Sequence, residues 1–233
     1  MAFSLVGGTN TQATGNNSTL DRVITVPGVP GDPQFIWAAG RASDNLADFD
    51  DPASWTRVGP VLRAYNPSLG TRPYLAVQVW WRVAPPSGYD EVTIYKVSHT
   101  NSRFRGGAIA YESDAGEVPW ILGTPQVDTT GSTNTTTFTP ASYTTPTGLV
   151  LCSVWAGPDL SGAMGSPTTP SGFTLDVDYS SDDPQGSTLS RQSTAGSVTM
   201  PTWVKGDATA WASLTFTLDR QRGGIYVDGA VHF

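Results

Sequence analysis

An all-β fold, an antiparallel β-sandwich of jelly-roll type with two similar halves, is predicted by three features of this 233-residue sequence. Short runs rich in Val, Thr, Ile and aromatics recur between clusters of Gly, Pro, Asn and Asp, with almost no helical periodicity. Gly occupies 25 positions and Pro 18, whereas charged residues make up only 14% of the chain, against about 25% in an average soluble protein. The third feature is a residue pattern that returns half a chain later.

Residues 1–20 read as a polar N-terminal arm, because Asn10 to Thr19 is almost entirely Asn, Thr, Gln, Gly and Ser and can bury little. Strands are expected near 22–26, 34–40, 55–64, 74–84, 91–97, 106–112, 149–155, 173–179, 187–193 and 208–218. Within 74–84, Leu75, Val77, Val79, Trp81 and Val83 share one face and Gln78, Trp80 and Arg82 the other, since side chains alternate along a strand. The first set is expected in the core and the second outside. The last strand repeats the device, with Ala210, Ala212, Leu214, Phe216 and Leu218 inward and Thr209, Trp211, Ser213, Thr215 and Thr217 outward. Polar outer faces suit antiparallel sheets that cover each other on one side only. Asp128 to Thr139 reads as a Thr-rich linker. Residues 220–233 form a C-terminal extension in which Ile225 and Val227 alternate with Tyr226, a strand whose pairing a neighbouring subunit can supply.

The repeat covers about 31–112 and 148–218. Trp37, Pro52 and Trp55 return as Trp155, Pro170 and Phe173, each 118 positions later, and each half ends in a strand of small residues, Gly107 to Tyr111 and Ala210 to Leu214. Two similar sets of strands can assemble one sandwich, so 21–219 is expected to be a single domain. Two tandem sandwiches are the alternative, disfavoured because residues 119–146 offer few strand residues with which to close a first domain.

Composition excludes several functions. A net charge of −7 and an isoelectric point near 4.6, with no basic run, repel a phosphate backbone, so no direct nucleic-acid binding is expected. Residues 1–8 lack the basic start and apolar stretch of a signal peptide, and no run is long enough to span a membrane. Synthesis in a cytoplasm is expected, with no membrane insertion. The lone cysteine, Cys152, lies in an apolar run and reads as a buried, inert thiol.

No constellation of groups for catalysis emerges, and no enzyme or cofactor is expected. The two histidines, His99 and His232, fall in a polar turn and one residue from the end, poor places for a base that must be held against a nucleophile. Asp44, Asp48, Asp50 and Asp51 could offer oxygens to calcium but lack the alternating spacing of a calcium loop. Asp176 and Asp178 alternate on one strand, the geometry of a solvated face or of paired carboxylates for glycoside cleavage. Gly7-Gly8 reads as flexible chain, Gly106-Gly107 and Gly223-Gly224 as turns or bulges, and none forms a phosphate loop. The outward rings Trp80 and Trp211, with Tyr226 and Phe233 of the extension, are the candidate surface contacts. They would serve a subunit interface or a sugar-binding platform.

With these residues in view, the chain resembles a family of β-sandwich proteins from phages of actinobacteria. The shared motifs are Gly31-Asp32, Pro52-Ala53-Ser54-Trp55-Thr56, Trp80-Trp81-Arg82-Val83-Ala84 and Gly107-Ala108-Ile109-Ala110-Tyr111, echoed by Gly148 to Leu151, Pro170 to Thr174 and Ala210 to Ala212. The similarity covers about 21–218 and departs at Pro33 to Trp37 and after Leu218. It implies a non-enzymatic virion structural protein, a minor tail protein first and a capsid decoration protein second. The partners expected are other virion proteins and itself as a homo-oligomer. A carbohydrate-binding module contacting host-surface glycan is the reading from another class.

Overall fold

The computed structural model describes residues 3–15, 20–42, 48–69, 73–87, 90–97, 102–112, 117–130, 133–157, 164–165, 168, 172–179 and 184–222. Among these residues there is no helix. Eighteen strands form antiparallel sheets.

The largest sheet runs β1 (Ser4–Gly15), β9 (Ser102–Glu112), β3 (Pro33–Ala42), β7 (Tyr74–Val83), with β5 (Thr56–Arg57) and β6 (Leu62–Tyr65) both on the far side of β7. A five-stranded sheet runs β10 (Glu117–Thr129), β18 (Trp211–Arg222), β13 (Gly148–Ala156), β15 (Gln185–Ser193), β14 (Thr174–Tyr179). These two sheets pack face to face. Phe35, Trp37, Leu75, Val77 and Ile109 of the first meet Leu149, Leu151, Trp155, Leu214 and Phe216 of the second in one apolar core. Phe35 lies 5.3 Å from Phe216 and Trp37 6.4 Å from Trp155, centroid to centroid, the tilted spacing that aromatic rings prefer.

The outer face of each large sheet is covered as well. A three-stranded sheet of β2 (Leu20–Val26), β8 (Asp90–Val97) and β4 (Asp48–Phe49) lays Ile24, Val26, Phe49, Val92 and Ile94 over Ile36, Ala38, Ala76, Trp80 and Ala108. On the other side, β11 (Thr135–Phe138) pairs with β17 (Trp203–Thr209), and β12 (Tyr143–Thr145) with β16 (Gly196–Val198). Their Phe138, Tyr143, Val198 and Trp203 cover Val150, Cys152, Val154, Leu189 and Trp211. Three apolar cores thus separate four layers.

This layering corrects the expectation that alternate residues of 74–84 and 208–218 face water. Leu75, Val77, Val79, Ala212, Leu214, Phe216 and Leu218 do line the central core, yet Gln78, Trp80, Ser213, Thr215 and Thr217 are fully buried too. Two of these hydroxyls are partnered, Thr217 with its oxygen 2.7 Å from that of Thr145 and Thr215 donating to Cys152 Sγ at 3.5 Å, whereas that of Ser213 has no partner among the described residues. A buried hydroxyl with a partner avoids most of its desolvation cost.

Four further expectations are revised. The N-terminal arm is in large part a strand: β1 pairs with β9 over its whole length. A sheet edge needs backbone bonds and not apolar side chains, so a polar composition does not exclude it. Residues 119–146, read as poor in strands and partly as linker, contain most of β10 and all of β11 and β12. Residues 55–64 are not one strand, because the chain turns between β5 and β6, where Gly59 takes φ 74°. Strand 208–218 divides at Ala210, β17 and β18 belonging to different sheets. Of the C-terminal extension, Arg220 to Arg222 end β18, and residues 223–233 lie outside the described residues.

Strands β1 to β9 build one large sheet with its cover, and β10 to β18 build the other. In each set the first strand pairs with the last, and the second with the last but one.

Candidate functional site

The two rings expected on the surface are interior. Trp80 and Trp211 are both 0% exposed, because the covering layers occupy the faces onto which they point. Trp80 Nε1 donates to the Asp51 carboxylate at 2.7 Å, with the Phe49 ring edge-on at 6.1 Å. Trp211 Nε1 donates to the Thr135 carbonyl at 2.9 Å, and its ring stacks on Phe138. Neither can serve as a surface contact. Tyr226, Phe233, His99 and His232 lie outside the described residues.

Asp48 and Asp51 converge, but on a side chain of this chain. Arg57 bonds Asp51 through Nε and approaches Asp48 at 3.6 Å through a terminal nitrogen, which also donates to the Phe49 carbonyl at 2.9 Å. Burial pushes the Asp51 carboxyl up, but the Trp80 and Arg57 bonds and the Arg57 charge outweigh it and hold the group below the usual carboxylate range. A depressed folded pKa contributes stability above the unfolded value that is lost as pH falls through the folded one. The oxygens offered to calcium in the sequence thus serve a guanidinium and an indole. Asp44 lies outside the described residues, and among those described no three potential metal ligands cluster.

Asp176 and Asp178 do not share a face as the alternation implied. A bulge between Leu175 and Val177 turns Asp176 inward. There it accepts a 2.6 Å hydrogen bond from the Tyr111 hydroxyl and bonds Ser190. Burial raises the Asp176 carboxyl despite these bonds, and burial with the adjacent carboxylate raises the Tyr111 phenol. The group joins β9 to β14 across the central core, and its chemistry is that of a structural tie.

A raised folded pKa has the opposite linkage to that of Asp51: the stability is complete below the unfolded value and lost as pH rises through the folded one. Asp176→Asn keeps an acceptor for Tyr111 and removes the ionisation. It is expected to flatten this loss, so that the mutant's melting temperature gains on wild type as pH rises above about 4. Parallel melting curves across that range would show it. A constant difference between the two proteins would refute it.

The Cys152 thiol is pushed up to about 12 by burial, and the Thr215 hydroxyl lies 3.5 Å from Sγ. An un-ionised, enclosed thiol is a poor nucleophile. Gly106 and Gly107 lie inside β9, neither in a turn nor at a bulge, while Gly7 adjoins the shift between β1 and β9.

Sequence reading missed two features. The first closes one end of the sandwich: Arg220 bonds Glu117 at 2.9 Å and its guanidinium lies 4.0 Å over the Phe3 ring. Phe3 and Glu117 are far from Arg220 in sequence; the pairing of β10 with β18 brings Glu117 to it, and the packing of the two large sheets brings Phe3. The second is the set of sheet edges. One side of the molecule presents β1, with Leu5 and Val6 exposed, and the opposite side presents β10, with Val118 60% and Trp120 40% exposed. Edges and exposed apolar residues are where a protein of this architecture can meet another.

Comparison of the chain with protein-family models, with curated proteins and with solved structures finds no match.

Proposed function

We propose that this chain is a non-enzymatic structural component of a bacteriophage particle, foremost a minor tail protein, built as a jelly-roll-like sandwich with two similar halves. The observation that supports the reading is that the motif residues on which the resemblance rests do packing, and do it twice. Trp55 lies under the Arg82 guanidinium at 4.3 Å, and Phe173, its counterpart, lies near Arg191 at 5.9 Å. Arg82 is on β7 and Arg191 on β15, the fourth strand along each large sheet from β1 and from β10. Trp37 and Trp155 likewise occupy the third strand of each and meet in the shared core. A chain whose recurring aromatic residues maintain a packed block fits a part that works by shape and contact.

Mass spectrometry of particles purified from the phage that encodes the chain is expected to find it in fixed proportion to the other virion proteins. Its absence from intact particles would end the proposal. Immunogold labelling separates tail from capsid surface, and gold on the capsid alone would favour a decoration protein. Among the described residues, the glycan reading now depends on Trp120, whose ring is exposed. It predicts binding to host-wall glycan that Trp120→Ala abolishes, with the melting temperature unchanged.

A further inference from the structure

The strands that end the two large sheets differ in how they stop further pairing. β10 contains Pro119 and Pro125, which lack an N–H, and its register shifts between Leu122 and Gln126 around Gly123 at φ 75°. β14 has six residues, two of them the carboxylates Asp176 and Asp178, and is bulged. β5 and β6 have two and four residues. Proline, charge, bulges and shortness are the means by which edges are protected from other chains.

β1 has little of this protection. It has twelve residues, no proline and no charged side chain. One register shift lies near its start, between Leu5 and Gly7, and from Gly7 to Gly15 it then runs in unbroken register with β9. Every second residue of that run directs its N–H and C=O away from β9. Among the described residues no strand pairs with that side. The Thr9 hydroxyl donates to the Thr25 carbonyl at 2.6 Å, tying β1 back to β2 and holding the edge in place.

We propose that β1 pairs antiparallel with β1 of a second copy of this chain, about a twofold axis at Thr11, joining the two six-stranded sheets into one. In that register Thr11 faces its own copy, Asn10 faces Gln12 and Gly7 faces Gly15. A second copy suits the edge because the chain carries a net charge of −7 while this strand carries none. It is therefore a long backbone surface on which two acidic molecules can meet without like charges directly opposed. Each contact off the axis occurs twice, as an isologous interface requires, and main-chain bonds supply the affinity. The pairing rests on the reading of the chain as an assembly component and names the surface by which it assembles.

Light scattering of the full chain over a wide range of concentration is expected to show a monomer–dimer equilibrium. Amide exchange at residues 7–15 should slow as the dimer forms. Thr11→Lys places two lysines opposite each other at the axis, and Gln12→Lys tests the neighbouring position. Each is expected to raise the dimer dissociation constant about tenfold or more with the monomer's melting temperature unchanged, whereas Val118→Lys on the β10 edge leaves dimerisation intact. Should a lysine unfold the chain, Thr11→Cys gives an independent reading, because oxidation is expected to link two copies through that residue. A monomer at every concentration, or a dimer that ignores both lysines and the cysteine, overturns the proposal. A monomeric chain present in particles would overturn this pairing and leave the virion reading standing; a dimer absent from particles would do the reverse.

Discussion

Trp155→Ala is expected to lower the free energy of unfolding by about 3–5 kcal/mol, the cost of emptying a large aromatic site in a packed core. Trp155 is fully buried on β13, the middle strand of its sheet, and meets Trp37 of the facing sheet. The cavity would therefore open where the two large sheets touch, with strands fixed on both sides and little freedom to collapse. Urea denaturation followed by circular dichroism measures the loss, and a change below about 1 kcal/mol would mean that the two sheets are not packed on one another. Trp155→Phe gives a finer test. Trp155 Nε1 has no acceptor among the described residues, whereas the Trp203 indole donates to the Ser187 hydroxyl at 2.7 Å. Phenylalanine removes an unsatisfied donor at the first site and leaves the hydroxyl without its donor at the second, so Trp203→Phe is expected to cost more.

Gly107→Val is expected to destabilise by about 1–3 kcal/mol and to loosen β1 specifically. A Cβ at Gly107 would lie 2.5 Å from the Trp37 ring and 2.6 Å from the Thr9 carbonyl oxygen. The ring is locked in the central core and the oxygen belongs to the backbone of β1, so the less costly relief is for β1 to move. Amide exchange at residues 7–15 should accelerate well beyond that in β3 and β7. Gly206→Ala is the control, since a Cβ there meets nothing within 4 Å, and its effect should stay within about 0.5 kcal/mol. Equal effects from the two substitutions would show that β1 is not seated on β9 as described.

The legible parts of the fold were those where one residue pattern answers to one physical cause. Strands β3, β7, β8, β13 and β14 alternate or run apolar between turn residues, and their positions followed from that. The core faces of β7 and β18 followed as well, because Leu75, Val77, Leu214 and Phe216 are apolar at alternate positions. Strands β1, β10 and β11 were hidden because they hold their places by backbone bonds, and a polar strand and a polar loop have similar composition. The candidate contacts Trp80 and Trp211 were misplaced for a related reason. Alternation assigns residues to two faces, but it does not say whether water or a further sheet lies over the second face.

By itself, then, the sequence determined that this protein is all-β, turn-rich, acidic and antiparallel, because periodicity, glycine and proline, and net charge act locally or as simple totals. Tertiary structure alone decided which faces are doubly covered, that Asp51 serves Trp80 and Arg57, that Asp176 turns inward to Tyr111, and that β1 ends its sheet among the described residues. Each depends on which strand lies beside or above another, and strands distant along the chain are brought together only by the packing of the whole.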